Sequence, residues 1–157
     1  MKGLIESLEK TSEVDYLLDT CFFIHVFKND LVKKLVGFCK ENKVGMSSFN
    51  FEEFLHTDYK FPGQMDHHIR NFLKQKLLYN IPIHVLPGDQ DSERKYVRDF
   101  DESILKIVQD PSDAVLFVLA IKLKADILTK DKHHIFTAIA ENYSNKYNVK
   151  VLKEFPN

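Results

Sequence analysis

Short apolar runs that alternate with longer amphipathic stretches are the feature that most limits how this chain can fold. The runs at residues 16–18, 43–46, 81–86, 126–129 and 149–152 are typical of buried strands, because they are brief and apolar. Between them, apolar residues recur at helical spacing. Alternating strands and helices favour parallel strands joined by helical crossovers. We therefore predict an α/β domain with three layers, α/β/α, and a mostly parallel sheet of about five strands.

The predicted helices are marked by their starting residues as well as by their spacing. We expect helices over residues 2–10, 22–27, 31–42, 49–56, 66–80, 92–108, 114–124 and 132–143. Ser47 or Ser48 should cap the helix that follows the second strand, and Pro111 should open the helix that contains residues 114–124. That helix is strongly apolar, so we expect it to be deeply buried.

Length and composition predict one globular domain over residues 1–157, of which residues 1–14 form an N-terminal helical extension. The 157 residues are 44% hydrophobic, which is enough for a substantial core. Charged residues interrupt the N-terminal segment and every later apolar run, so we expect a cytoplasmic protein with no membrane partner. Cys21 and Cys39 lack metal-type spacing and are expected to be buried or neutral thiols.

Net charge argues weakly against a nucleic-acid partner. The chain carries 22 basic and 23 acidic residues, a formal net charge of −1, without the basic excess of many nucleic-acid binders. Divalent cations bound to several carboxylates would remove those acids from the count. The objection is weaker if the chain binds metal ions.

Acidic residues lie where the predicted elements begin and end. Asp19 follows the first strand, and Asp131 stands just past the fourth. Glu52 and Glu53 lie one turn into the helix after the second strand, and Asp113 lies in the first turn of the long apolar helix. Ligands of such sheets bind beyond the carboxyl ends of the strands. We therefore expect these acids to border one crevice.

Taken singly, each acid has an ordinary explanation, because carboxylates favour helix N-termini through capping and the helix dipole. Four carboxylates in one crevice, however, repel each other unless cations neutralise them. Hard oxygen ligands without a matching His or Cys set suit Mg²⁺ or Mn²⁺ better than zinc. In a two-metal phosphodiesterase the cations sit roughly 3.5–4 Å apart and activate water for an in-line displacement. The acids thus indicate a divalent-metal site.

Four stretches carry a resemblance to a known family: YLLDTCFFI, VGMSSFNFEEFL, DPSDAVLFVLAIKLKADILTKD and HHIF. In their order and spacing the chain resembles the PIN-domain family, which includes the VapC-type toxins of toxin–antitoxin pairs. The resemblance spans most of the chain and implies a PIN-like fold and an endoribonuclease that uses metal-activated water. It also implies a site in which the metal ligands are Asp19, Glu53, Asp113 and Asp131, with Thr129 lending its hydroxyl.

The resemblance also decides one choice that helical spacing leaves open, because the family frame selects Glu53 over Glu52. At Cys21 many members carry Asn, so we expect polar support for the first carboxylate to be missing. The N-terminal helix and residues 57–80 make the chain longer than a minimal toxin of the group. The expected partners are an RNA substrate, a second copy of the chain and, for a member of the toxin branch, an antitoxin protein.

Other functions fit the residues less well. A PIN-like module without catalysis, binding RNA or a protein, is the main alternative, and the four intact acids argue against it. An aspartyl phosphatase acting through Asp19 would offer a second Asp two residues on, where this chain has Cys21. A receiver-type switch needs its Asp at the end of a middle strand, where this chain has Leu86 and Pro87.

Two further groups of residues invite a functional reading but have simpler explanations. The pairs His67–His68 and His133–His134 are adjacent in sequence, so on a helix their side chains point in different directions. Arg70 and Lys74 share a helix face that could contact phosphates. Solvated or packing histidines, and a solvated helix face for the basic residues, are the favoured interpretations.

Overall fold

A parallel sheet forms the centre of the structure, a computed structural model that describes residues 1–57, 60–131 and 146–157. Its strands are β1 (Tyr16–Leu18), β2 (Val44–Ser47), β3 (Tyr79–Ile81), β4 (Asp126–Leu128) and β5 (Val151–Leu152). The order across the sheet is β3-β2-β1-β4-β5, and every neighbouring pair is parallel. The predicted α/β class with a five-stranded parallel sheet is confirmed.

Helices cover both faces of this sheet. They are α1 (Lys2–Glu6), α2 (Thr20–Lys28), α3 (Val32–Glu41), α4 (Ser48–Leu55), α5 (Gly63–Lys74), α6 (Gln90–Asp101), α7 (Ile104–Ile107) and α8 (Pro111–Leu123). One buried core joins the sheet to α1–α5, and the other joins it to α6–α8. Successive strand residues enter opposite cores, as Leu17 and Leu18 do, because side chains alternate along a strand. The three layers follow from this alternation.

The order of the strands opens a crevice between β1 and β4. From β1 the chain moves outward through β2 to β3, and then returns to the other side of β1 with β4. Connections therefore diverge at the carboxyl ends of β1 and β4, which is where open α/β sheets bind ligands. Asp19 donates its backbone N–H to the carbonyl of Leu128 at 2.9 Å, so the residues that follow the two strands start side by side.

Several predicted elements differ from those observed. The third strand covers residues 79–81 rather than 81–86, because Pro82 has no N–H to donate to a neighbouring strand. The helix predicted to run to residue 80 ends at Lys74, because Lys76 adopts a left-handed backbone conformation, with φ of 54°, and β3 begins at Tyr79. The helix predicted over 92–108 is divided into α6 and α7. At the break, the Asp101 carboxylate accepts hydrogen bonds from the N–H and hydroxyl of Ser103 at 3.0 and 2.6 Å.

The N-terminal extension is helical only over Lys2–Glu6, so the predicted helix over residues 2–10 was too long. Residues 9–11 instead lie along the outer edge of β3, where Asn80 bonds to Glu9 at 2.9 Å and to Thr11 at 3.1 Å. This contact covers a strand edge that would otherwise expose unpaired backbone groups. The helix predicted over 132–143 lies outside the described residues. Within the described ranges, no helix has the length and apolar character needed to cross a membrane.

Candidate metal centre

Asp19 follows β1 and is the most enclosed of the predicted acids, with 8% of its surface exposed. Its Oδ2 accepts hydrogen bonds from the Thr129 hydroxyl at 2.6 Å and from the Cys21 thiol at 3.0 Å. The Asn50 amide lies 3.5 Å from Oδ1. Burial raises the pKa of Asp19, and the bonds from Cys21 and Thr129 oppose that rise. Asp19 is thus a buried carboxyl group held by neutral donors.

Thr129 connects Asp19 to Asp131. Thr129 is fully buried just beyond β4, and its hydroxyl accepts the backbone N–H of Asp131 at 3.0 Å while donating to Asp19. The Asp131 carboxylate is close enough for its negative charge to raise the pKa of both Asp19 and Asp113. Thr129 is thus a buried residue whose hydroxyl group supports the Asp19 carboxylate.

Glu53 reaches the crevice from α4, which starts immediately after β2. Ser47 caps this helix, as predicted, by accepting the N–H of Asn50 at 3.0 Å. One turn later, Glu53 Oε1 accepts the Asn50 amide at 3.1 Å. Glu53 lines a cleft of about 420 Å³, whereas Glu52 is not among the lining residues. Of the two neighbouring glutamates, Glu53 is therefore the one that faces the crevice.

Asp113 reaches the crevice from the first turn of α8. Asp110 caps that helix by accepting the N–H of Ser112 at 2.9 Å, so the helix start that the sequence predicts is confirmed. Burial is the largest cause that raises the pKa of Asp113 to about 8, and nearby negative charges add to it. Those charges belong to Asp19, Asp110, Asp131 and Glu53. The other three predicted ligands, Asp19, Glu53 and Asp131, therefore all act electrostatically on Asp113.

Glu53, like Asp113, is repelled by neighbouring carboxylates. Burial is the largest cause that raises its pKa to about 8, the charges of Asp19, Glu93 and Asp110 add to the rise, and the Asn50 amide opposes it. A carboxyl group with a pKa this high is expensive to ionise unless a cation is near. The crevice is thus a place where positive charge would be stabilised.

Sequence reasoning missed two residues of this site, Asn50 and Glu93. Asn50 is 2% exposed and bonds to Glu53, and its spacing of three residues from both Ser47 and Glu53 is the only local signal for it. Glu93, on α6, is 3% exposed, lines the same cleft as Glu53 and accepts the N–H of Gly88 at 3.2 Å. Burial raises its pKa as well.

The polar support expected to be missing at Cys21 is present. The thiol donates to Asp19, and its sulfur accepts the N–H of Lys130 at 3.3 Å. Burial is the largest cause that raises the pKa of Cys21 and of Cys39 to about 12, which agrees with the expectation of buried or neutral thiols. A neutral thiol keeps its proton and can act as a hydrogen-bond donor to a carboxylate.

The donor set of the crevice fits a hard divalent cation, because it consists of carboxylate oxygens. Within the residues that the structure describes, no group of three or more His, Cys, Asp or Glu side chains already has an arrangement that would hold a metal ion. The carboxylates would have to turn toward an ion to share it.

One basic side chain near the crevice and one on α5 are engaged in ion pairs. Lys130, next to Thr129, pairs with Glu154, and Arg70 pairs with Asp66 at 2.7 Å. Of the predicted histidine pairs, residues 133–134 lie outside the described ranges.

Comparison with known proteins found no family model that matches the chain and no curated protein that matches it. The chemistry and placement of the crevice residues are therefore the basis for inferring function.

Proposed function

We propose that this chain is a metal-dependent endoribonuclease of the PIN type, which hydrolyses RNA phosphodiester bonds at the crevice. The observation that carries the proposal is the meeting of Asp19, Glu53 and Asp113 at the carboxyl ends of the strands, each with a raised pKa. These residues come from separate elements, and grouping them costs stability unless cations are bound. The α/β/α fold class, which the PIN resemblance implies, supports the same proposal.

In this proposal, Mg²⁺ or Mn²⁺ is held by four carboxylates: Asp19, Glu53, Asp113 and Asp131. When bound, the metal would supply a Lewis acid and a water of lowered pKa for in-line attack on the phosphodiester. Cys21 and Thr129 hold the Asp19 carboxylate in a defined direction through hydrogen bonds of 3.0 and 2.6 Å. Fixed ligands of this kind lower the cost of arranging the site at the moment of reaction.

A location and partners for the chain are proposed as well. We place the protein in the cytoplasm, where RNA is available as its substrate. A second copy of the chain is a proposed partner, and an antitoxin protein is the partner expected of the toxin branch.

Cleavage of a mixed pool of structured and single-stranded RNAs tests the nuclease directly. Purified protein is assayed with Mn²⁺, with Mg²⁺ and with chelator, alongside Asp113→Asn. Asp99→Asn is the matched control, since Asp99 is an exposed carboxylate of α6 that pairs with Lys95. We expect metal-dependent cleavage by the wild type and the control, and none by Asp113→Asn. Full activity of Asp113→Asn would contradict the assignment.

The alternative is a PIN-like module that binds RNA or a protein without cleaving it. RNA that binds equally well with Mn²⁺ and with chelator, and is not cut under either condition, would favour this module over the nuclease.

A further inference from the structure

Asn50 is a buried amide that stands between two of the crevice acids. It is 2% exposed, and its Nδ2 lies 3.1 Å from Glu53 Oε1 and 3.5 Å from Asp19 Oδ1. The same nitrogen lies 3.2 Å from the Thr20 hydroxyl, which itself donates to the backbone carbonyl of Asn50 at 3.1 Å. Three acceptors therefore surround an amide group that has two protons to donate.

The orientation of this amide is determined by its other end. The Ser47 hydroxyl donates to Asn50 Oδ1 at 2.6 Å and accepts the backbone N–H of Asn50 at 3.0 Å. If the amide were reversed, its oxygen would face the carboxylates of Glu53 and Asp19 and its nitrogen would face the Ser47 hydroxyl. Oxygen against two carboxylates is repulsive, so hydrogen bonding selects the orientation with nitrogen toward the acids.

The amide constrains one oxygen of Glu53 and leaves the other available. Glu53 Oε1 accepts from Asn50, while Oε2 accepts no hydrogen bond from the residues that the structure describes. A neutral donor that fixes one oxygen of a carboxylate sets the direction of the second oxygen. Mutation of such a supporting residue typically lowers metal affinity by about 10–100-fold. The contact of the same amide with Asp19 crosses from α4 to the end of β1, so Asn50 relates two ligands that come from different elements.

We propose that Asn50 is a positioning residue that joins Glu53 to Asp19 and sets the geometry in which these two carboxylates receive a divalent cation. The inference rests on the proposed metal-dependent function, because it assigns a role toward the same ion. Asn50 touches the two carboxylates through its amide, and its burial keeps it away from any substrate.

The test measures Mn²⁺ affinity by calorimetric titration of the folded protein, and thermal unfolding with Mn²⁺ and with chelator. Asn50→Leu keeps the approximate volume and removes the amide. Asn80→Leu is the matched control, because Asn80 is also a buried amide, and its Oδ1 has no hydrogen-bond donor in the described part of the chain. Asn50→Ser is a milder variant that keeps one donor on a shorter side chain, for use if Asn50→Leu does not fold.

We expect the folded Asn50 variant to bind Mn²⁺ about tenfold or more weakly than wild type, with Asn80→Leu unchanged. A purely structural role would lower the unfolding temperature equally with Mn²⁺ and with chelator and would leave the affinity intact. An affinity within about threefold of wild type, smaller than the usual effect of a supporting residue, would overturn the role of Asn50 alone. Absence of Mn²⁺ binding by the wild type would overturn the metal-dependent function and this role together.

Discussion

Asp113 lies in the first turn of α8, where two opposing effects act on its charge. The helix dipole favours a carboxylate there by about 0.3–1 kcal/mol. Burial and the neighbouring acids oppose it, and a change of a single pKa unit already corresponds to about 1.4 kcal/mol. Because these raise the pKa of Asp113 to about 8, repulsion and burial outweigh the dipole in the metal-free protein.

Asp113→Asn should therefore stabilise the protein in chelator, by on the order of 1–2 kcal/mol near neutral pH. The same change removes a proposed ligand, so Mn²⁺ should stabilise the variant less than the wild type. Urea unfolding with and without Mn²⁺ measures both effects. A loss of stability in chelator would show that capping and the dipole, rather than repulsion, explain why an acid lies here.

Asn80 presents the opposite situation to Asn50, although both amides are buried. Its Oδ1 finds no donor among the described residues, whereas the polar atoms of the Asn50 amide are bonded. An unsatisfied buried group costs about 1–3 kcal/mol, which an apolar side chain of similar shape avoids. Asn80→Leu should therefore raise the unfolding temperature by roughly 2–4 °C, and Asn50→Leu should lower it. Calorimetry of the two variants in chelator checks the difference in sign.

At the scale of elements, β2 is packed too closely to accept a side chain at Gly45. A Cβ there would lie 2.7 Å from Ile81 Cδ1 and 2.8 Å from Val14 Cγ1, both closer than real contacts allow. Val14, at the end of the N-terminal segment, and Ile81, at the end of β3, thus both pack against Gly45. This position lets the extension pack against the sheet.

Gly45→Ala should destabilise the protein by about 1–3 kcal/mol, since the neighbouring side chains must shift to admit the methyl group. Gly37→Ala is the control, because Gly37 lies within α3 and a Cβ there would meet nothing within 4 Å. There the change should stabilise by roughly 0.5–1 kcal/mol, as alanine replaces glycine in a helix. Denaturant unfolding compares them, and equal effects would contradict the close packing at Gly45.

Across the whole molecule, the crevice acids connect stability to pH. The pKa values of Glu53 and Asp113 are raised to about 8 from ordinary values of 4.5 and 3.8. A folded-state pKa above the unfolded value means that the folded protein binds protons more tightly. The stability of the folded form is therefore greatest below the unfolded pKa and is lost as pH rises through the folded pKa.

In chelator, stability should fall between about pH 4.5 and about pH 8, the ordinary and raised pKa values of Glu53. Mn²⁺ competes with those protons, so its stabilising effect should increase over the same range. Unfolding temperatures measured against pH, with chelator and with Mn²⁺, give both trends. The double change Glu53→Gln and Asp113→Asn should flatten the chelator curve. Stability that rises with pH in chelator would contradict the raised pKa values.

The sequence alone determined the alternation of strands and helices, and from it the parallel sheet. It also located Asp19 after β1 and Asp113 in the first turn of α8, because strand ends and helix starts depend on local residue order. The helix break at Asp101 and the strand end at Pro82 were missed even though their signals are local. At Asp101 the prediction followed hydrophobic spacing and overlooked a side-chain hydrogen bond. At Pro82 it followed the apolar run and overlooked the missing backbone N–H.

Only the tertiary structure decided how the crevice is supported. Thr129 bonds to Asp19 across 110 residues of sequence, and Asn50 reaches Asp19 across 31. The strand order places β4 and β2 on the two sides of β1 and so brings Thr129 and Asn50 to Asp19, and no local pattern encodes that neighbourhood. Burial likewise raised the pKa values of Glu53 and Asp113, because desolvation depends on everything packed around a group rather than on its neighbours in sequence.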